Sequence, residues 1–512
     1  MKPPKYFLFL VNLLYSAECL KILAVFPYTA RSHAVTYIPL LEKLRESGHE
    51  LRLAAFFSLK YRHADDIKLL IPPNSEIVIE LDSLVGSRFE QLYLAHFLHS
   101  EIANKRCDFL LSSKAFGELL KSNETYDVIL TEHFTTSCHI SPLVEKHQTP
   151  FIVIHTNALM AWAAPWVDVP YNPAYMPVLF LDFPLRMNFW KRLDSLVMWI
   201  YVHVHYYLVI AAQDDSFLKN PKGIISHELM QNASLILTNS HFTYHIPRPL
   251  VPRTVEVAGM HIEACQQLPK HIDKWINESK HGVIYFSLGS MIKGHTFPDD
   301  KKQMFINAFG RLPQRVLWKW ENETMPGKTD NIMIEKWMPQ FDILCHPNVK
   351  AFIAHGGMLG VTEAVHCGVP MIIMPQFGDQ FTNAKAVEAS GGGTILDYRY
   401  LDEESIYNAL TTALDPKSNK KAKELSARFK DRPLPPLETS IYWIEYVARH
   451  GGAPHLRTAA VGMPLYQYLL LDVIAFLVVI LFSFLFVVYY ISRAILRKLC
   501  RRKQSSQKKK KH

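Results

Sequence analysis

The stretch from Trp337 to Gln380, WMPQFDILCHPNVKAFIAHGGMLGVTEAVHCGVPMIIMPQFGDQ, decides how the rest of the chain is read. An apolar run, Val349 to Ala354, stops at His355-Gly356-Gly357, and a helical stretch from about Leu359 to Cys367 follows at once. A strand that turns through glycines into a helix suits a diphosphate. The first-turn N–H groups of the helix are unpaired and its dipole favours negative charge. The glycines, here with Gly357 and Gly360 as the candidate contacts, let the backbone come close to the ligand. Trp337 offers a flat face for a base. Gln340 and Glu363 offer hydrogen bonds to ribose hydroxyls. A second apolar strand, Pro370 to Met374, leads to Asp379-Gln380, a carboxylate and an amide at the same sheet edge, suited to neighbouring sugar hydroxyls. A lone HGG is usually a plain turn and a lone Trp is usually core. The ordered set within one segment points to a single ligand, a nucleotide-sugar.

Outward from this segment the pattern repeats. Strands are expected at Val283 to Ser287, Val316 to Lys319 and Asn331 to Glu335 in the second half. In the first half they are expected at Leu20 to Pro27, Glu50 to Phe56, Val128 to Thr131 and Phe151 to His155, with a helix over Tyr37 to Ser47. Strands alternating with helices predict α/β architecture: two Rossmann-like domains, each a parallel sheet with helices on both faces, facing across a cleft. The joint falls near Ile246 to Trp275, where Pro247, Pro249, Pro252 and Pro269 cluster, and Pro433 to Pro436 marks a later linker. Phe286 to Ser290 ends a strand of the second domain, and Ser290 is a further candidate phosphate contact. The aromatic, Met-rich stretch Tyr171 to Gln213 is read as a helix that lines an acceptor pocket or touches a bilayer, because His203 and His205 interrupt its apolar run.

This arrangement resembles the UDP-glycosyltransferases, the family that includes UDP-glucuronosyltransferases, from about Leu20 to the C-terminus. GMHI at Gly259 to Ile262 and the HGGMLG form are similar to the invertebrate, insect-type branch. The resemblance implies a GT-B fold and a donor site in which Trp337 stacks on uracil, Gln340 and Glu363 hold ribose, His355 meets the diphosphate, and Asp379 and Gln380 hold the sugar. It places the catalytic base at His33, in the FPYTARSHAV stretch after the first strand, since histidine titrates near working pH. Relatives orient that base with an Asp after the strand that reads here DVILTEHF. The matching residue is Glu132, and Asp127 is the weaker candidate. The chain departs from the family after HGG, where Leu359 and Gly360 leave only backbone N–H donors for phosphate. The resemblance also implies that the helix from Glu438 to His450 crosses back to the first domain. Insect-type relatives use UDP-glucose and vertebrate ones UDP-glucuronate; Arg248 is a candidate partner for a glucuronate carboxylate.

The two ends account for the composition. The chain has 512 residues, 49% of them hydrophobic, and a formal net charge of +9. Met1 to Glu18 carries Lys2 and Lys5, an apolar run from Tyr6 to Leu14 and small residues after it, a secretory signal pattern. Val473 to Ile491 is apolar and long enough, at about 28 Å as a helix, to span a bilayer. Arg493, Arg497, Lys498, Arg501, Arg502 and Lys503 follow directly and mark the cytosolic side, with tyrosines near both expected interfaces. Without the basic tail the body is near neutral, so no nucleic-acid partner is expected. The ending KKKKH resembles the dilysine signal of the endoplasmic reticulum. Sequons at Asn123, Asn232, Asn277 and Asn322 fit a luminal body. Seven widely spaced cysteines without CxxC predict no disulfide framework.

The expected layout is a signal peptide over 1–19, an acceptor domain over 20–255 and a UDP-sugar domain over 256–436. A crossing helix and linker over 437–465, a transmembrane helix over 466–491 and a basic cytosolic tail over 492–512 complete it. The expected activity is inverting transfer of glucose or glucuronic acid to hydroxyls of small lipophilic acceptors. Expected partners are UDP-glucose or UDP-glucuronate, such an acceptor and membrane lipid, with a homo-oligomer left open. No cofactor beyond the UDP-sugar co-substrate is expected, and no metal, since neither a DxD pair nor HExxH occurs. A nicotinamide oxidoreductase is disfavoured because no GxGxxG follows a strand. A non-catalytic Rossmann-fold protein that retains the UDP-sugar site is the alternative.

Overall fold

A computed structural model of the chain describes residues 19–60, 63–64, 66–69, 107–134, 138–184, 186–206, 208 and 229–509. The signal pattern lies outside these residues, as does the end of the aromatic stretch. Contacts divide the chain after Leu456.

The first unit contains two parallel sheets. One has strands β1 (Lys21–Phe26), β2 (Glu50–Ala55), β3 (Ile67–Lys68), β4 (Val128–Glu132), β5 (Phe151–His155), β6 (Leu235–Thr238) and β7 (Thr254–Glu256), in the order 3-2-1-4-5-6-7. The other has β8 (Val283–Ser287), β9 (Arg315–Lys319), β10 (Ile332–Glu335), β11 (Val349–Ala354), β12 (Met371–Ile373) and β13 (Gly393–Ile395), in the order 10-9-8-11-12-13. The helices of this unit are α1 (Arg31–Glu46), α2 (Lys114–Lys121), α3 (Ile140–His147), α4 (Phe189–His205), α5 (Lys270–Asn277), α6 (Asp299–Gly310), α7 (Gln340–Cys345), α8 (Met358–Cys367), α9 (Gln380–Ser390), α10 (Glu403–Leu414), α11 (Pro416–Lys430) and α12 (Pro436–Arg449).

Strand alternation explains the layers. On β1, Ile22, Ala24 and Phe26 join Leu40, Leu41 and Leu44 of α1 and Ile444 and Val447 of α12 in one core. Leu23 and Val25, pointing the other way, belong to a second core. That second core does not stop at the first sheet. It takes in Val283 and Tyr285 of β8 and Phe352 of β11, so the two sheets share apolar packing. Polar ties add to it: the Thr382 hydroxyl, for one, donates to Leu181 O at 3.1 Å and accepts from the Phe180 N–H at 3.1 Å. Apolar packing thus runs from one sheet to the other.

Both sheets reverse strand order at one point, between β1 and β4 and between β8 and β11. Ligands of such sheets bind at these switch points, beyond the strand C-termini. The loop after β1 leads to His33, β4 ends at Glu132, β8 leads to Ser290, and β11 leads to His355.

Helix α1 corrects one expectation. It begins at Arg31, well before Tyr37, so His33 lies in its first turn and not in a loop. Its N-cap residue, Ala30, makes no side-chain cap and no acidic residue sits in the first turn, so the usual start signals are missing. Helix α4 leaves Phe189, Trp190, Leu193, Val197, Ile200 and Val204 exposed along one face. Among the described residues one disulfide, Cys107–Cys138, joins residues 31 apart, a pairing that spacing did not signal.

The second unit, Arg457–His512, is helical. A short turn of helix, Leu465–Tyr468, is followed by Leu470 in the left-handed conformation (φ 54°). The long helix α13 (Leu471–Lys509) follows. Its stretch Leu471–Leu499, 29 residues and about 44 Å, is long and apolar enough to cross a membrane. Among the described residues no other helix is, which includes α4.

Candidate active site

A cavity of about 450 Å³ opens where the two switch points face each other. Its first-sheet wall includes Tyr28, Arg31, His33, Phe134 and Thr156. Its second-sheet wall includes Ser290, Lys319, Trp337, Gln340, His355, Gly357, Gly360, Glu363, Asp379 and Gln380. Ser290 and every candidate donor residue of the Trp337 to Gln380 segment are therefore on the cavity wall.

Glu132 stands behind His33. Its carboxylate accepts hydrogen bonds from the Tyr37 hydroxyl at 3.1 Å, the Thr156 hydroxyl at 3.2 Å and His33 Nδ1. The carboxylate is buried, with its donors arrayed around it. The His33 ring is stacked on Tyr28 with centroids 5.3 Å apart and meets the edge of Phe134 at 5.0 Å. With Nδ1 engaged by Glu132, Nε2 is the nitrogen free for chemistry. Asp127 plays no part here; it accepts from the Lys21 N–H at 2.7 Å at the opposite end of the strand.

The His355 ring sits between two glycines. A Cβ on Gly289 would lie 2.6 Å from the ring, and one on Gly357 would lie 2.4 Å from Nε2. Gly289 also has φ +80°. Any side chain at either place would displace the ring. Burial, assisted by nearby Lys319, pulls the His355 pKa down to about 4. The ring is therefore neutral at pH 7 and offers an N–H dipole. Its Nδ1 has no partner. Beside it α8 starts at Met358 after Gly357, with no side-chain cap, so first-turn N–H groups are free at the cavity wall.

Across the wall, Gln340 Nε2 donates to Glu363 Oε2 at 2.7 Å. Burial raises the Glu363 carboxyl to about 7. Asp379 accepts from Asn383 Nδ2 at 3.0 Å, and burial raises its pKa while nearby His33 opposes the shift. Gln380 spends its carbonyl on the Gln376 and Phe377 N–H groups, at 2.9 and 3.2 Å. Only its NH₂ remains for a ligand. The carbonyl of Ser290 accepts from Lys293 Nζ at 3.2 Å.

Two cations were not anticipated. Lys319 ends β9 at the cavity wall and pairs with Glu321 at 2.6 Å. The signal was present, a lysine closing an apolar strand at the same sheet edge as HGG. Arg31 lies over the half-exposed Trp337 ring, 4.4 Å from its centroid. That contact joins residues far apart in sequence and leaves no local trace. Arg248 is a correction in the other direction. It is absent from the cavity wall; its Nη1 donates to Leu159 O at 2.7 Å and its guanidinium faces Tyr171. Helix α4 likewise supplies no residue to this cavity. Among the described residues no group of His, Cys, Asp or Glu is arranged to hold a metal ion.

Residues 21–509 match the family described as "UDP-glucoronosyl and UDP-glucosyl transferase". The chain is 42% identical to UDP-glycosyltransferase UGT5 of Dactylopius coccus, over 97% of this chain and 96% of that protein. It is 35% identical to UDP-glucuronosyltransferase 1A3 of Rattus norvegicus, over 75% and 72% of the two chains. Among solved structures, the glycosyltransferase VinC in complex with dTDP superposes with a TM-score of 0.56 at 16% identity, covering 84% of this chain and all (100%) of that one. LpCGTa in complex with UDP gives 0.52 at 16%, covering 83% and 98%. At such identities these two likenesses concern the GT-B fold alone.

Proposed function

This chain belongs to the family of UDP-glucuronosyl and UDP-glucosyl transferases and is a UDP-glycosyltransferase; we propose that it transfers a hexose, with inversion, to the hydroxyl of a small lipophilic acceptor, His33 acting as base. The observation that carries this reading is the buried Glu132 carboxylate bonded to His33 Nδ1, with the donor-site residues on the facing wall of one cavity. His33 Nε2 takes the acceptor proton while Glu132 holds the tautomer and stabilises the imidazolium. The acceptor oxygen attacks the anomeric carbon from the face opposite the leaving UDP. Charge then grows on the diphosphate, where the neutral N–H of His355, the first-turn N–H groups of α8 and the Lys319 ammonium receive it. Trp337 stacks on the base, Gln340 and Glu363 bond ribose, and Asp379 with the Gln380 NH₂ bonds the sugar. The polar, apolar-flanked wall made by Tyr28 and Phe134 around His33 favours an apolar acceptor. A preference for glucuronate loses its argument once Arg248 is engaged elsewhere.

The body is assigned to the lumen of the endoplasmic reticulum, with the tail cytosolic. Cys107–Cys138 favours an oxidising compartment. All four sequon asparagines are exposed. The apolar stripe of α4 suits a lipid surface. The test is a microsomal assay with UDP-glucose and UDP-glucuronate against phenolic and aliphatic acceptors, with NMR of the product's anomeric centre. Retention of configuration, or no transfer from either donor, would overturn the reading. Glycosidase should lower the mass of the native protein, and protease on sealed vesicles should remove the tail alone. Digestion of the body in intact vesicles would reverse the orientation.

A further inference from the structure

Ahead of α4, residues 171–184 form neither helix nor strand, yet they reach the second sheet. The near end is held by the Ser195 hydroxyl of α4, which donates to Pro173 O at 2.7 Å, and by the Tyr171 hydroxyl, which donates to Pro177 O at 2.9 Å. The far end meets the first turn of α9. There the buried Thr382 hydroxyl accepts from the Phe180 N–H and donates to Leu181 O, both at 3.1 Å. The buried Phe180 ring rests on Gly378, where a Cβ would lie 3.5 Å from it. Phe180 itself has φ 93°, a costly conformation for a bulky residue. Such strain persists only where the surroundings fix it. What this strap touches is the sugar end of the donor site. Gly378 precedes Asp379, and Gln380 opens α9. In the same turn Asn383 Nδ2 donates to Asp379 Oδ2 at 3.0 Å and to Gly356 O at 2.9 Å.

We propose that Phe180 and Thr382 are positioning residues for the sugar of the donor: the strap fixes the first turn of α9 and thereby the aim of the Asp379 carboxylate and the Gln380 amide. This rests on the donor-site reading given above, in which those two groups bond the sugar. Neither Phe180 nor Thr382 lines the cavity, so both act through α9 and not on the ligand. Asn383 pins one side of the turn to Gly356 O, and the strap pins the other. Without the hydroxyl, Phe180 N–H and Leu181 O are buried and unpaired, which favours a shift of the strap away from α9. Without the ring, space opens beside Gly378, whose φ of +63° already belongs to a mobile residue type. Either change lets the turn tilt about Asn383. Hydrogen bonds weaken steeply as distance and angle depart from ideal, so a tilt misaims both groups at the sugar. The candidate base, ribose and diphosphate contacts, Trp337, Gln340, His355 and Glu363, lie outside α9. UDP, which carries no sugar, should therefore not sense the strap.

The test uses the full-length enzyme in detergent, titrated by calorimetry with UDP, UDP-glucose and UDP-glucuronate. Thr382→Val replaces the hydroxyl by a methyl. It should weaken binding of the UDP-sugar about tenfold, the worth of one sugar hydrogen bond, and leave UDP affinity as it was. Thr382→Ser keeps the hydroxyl and should bind both ligands as the wild type does. Phe180→Gly accepts the backbone conformation, removes the ring and should show the same selective loss; it decides the question if Thr382→Val fails to fold. Equal weakening of UDP and UDP-sugar, or no weakening of either, overturns the proposal. Asp379→Asn, titrated alongside, tests the underlying sugar assignment by itself. If it binds the UDP-sugar as the wild type does, that assignment falls and the proposal with it. If it loses the UDP-sugar while Thr382→Val does not, the positioning role alone falls.

Discussion

Removing the acceptor-side base should separate chemistry from donor binding. His33→Ala should lower transfer to an aliphatic alcohol by about 10²–10⁴, the usual contribution of a general base. The structure sets the size of a second, gentler perturbation. Glu132 accepts from His33, Tyr37 and Thr156. In Glu132→Gln the amide oxygen still faces His33 and the NH₂ turns toward the Tyr37 hydroxyl, which accepts in place of donating. The change removes the charge behind the imidazolium and little else. One charge-assisted hydrogen bond is worth about 1.5–3 kcal/mol, hence about 10–10² in rate. Glu132→Ala is a poorer probe, since it strands three donors at about 1–3 kcal/mol each. The double variant should lose no more than His33→Ala alone, because both residues serve one proton transfer. The assay measures kcat with an aliphatic alcohol and with a nitrophenol that is already ionised, alongside UDP titration. The nitrophenol should lose far less, and UDP affinity should hold. Full activity of His33→Ala on the alcohol would refute the mechanism.

Other perturbations address the donor side. Trp337→Ala should weaken UDP binding by about 1–3 kcal/mol through lost stacking, read by calorimetry; unchanged affinity would remove the base from that ring. Gly357→Ala places a Cβ 2.4 Å from His355 Nε2, so kcat should fall more than UDP affinity, and equal losses in both would count against a transition-state role. Glu363, raised to about 7 by burial, is mostly protonated below that pH and mostly carboxylate above it. A carboxylate is the better acceptor for ribose hydroxyls, so UDP-sugar affinity should rise as pH passes through about 7. The same group holds its proton in the folded chain between about 4.5 and about 7, where the unfolded chain has released it. Its contribution therefore makes the ligand-free fold less stable as pH rises across that window. Glu363→Gln should flatten both profiles, and a slope that survives the substitution belongs to another group.

The sequence by itself determined the elements and the chemistry that clusters within one segment. The HGG turn, the helix after it and Asp379-Gln380 were legible because a strand, a glycine turn and a helix start are local, and their ligand groups fall within one β-α-β unit. The apolar helix near the C-terminus was legible for the same reason, since hydropathy is a property of a continuous run. Helix α1 was misjudged because Ala30 carries no capping signal. Only the tertiary structure decided the contacts that cross elements. The fit of His355 between Gly289 and Gly357, Arg31 over Trp337, and Lys319 at the wall depend on two sheets meeting at their switch points. The engagement of Arg248 with Leu159 joins residues 89 apart in sequence. Side-chain pairs separated by tens to hundreds of residues leave no periodicity in a single chain. Burial, which sets the protonation of His355 and Glu363, exists only once the cores have closed around them.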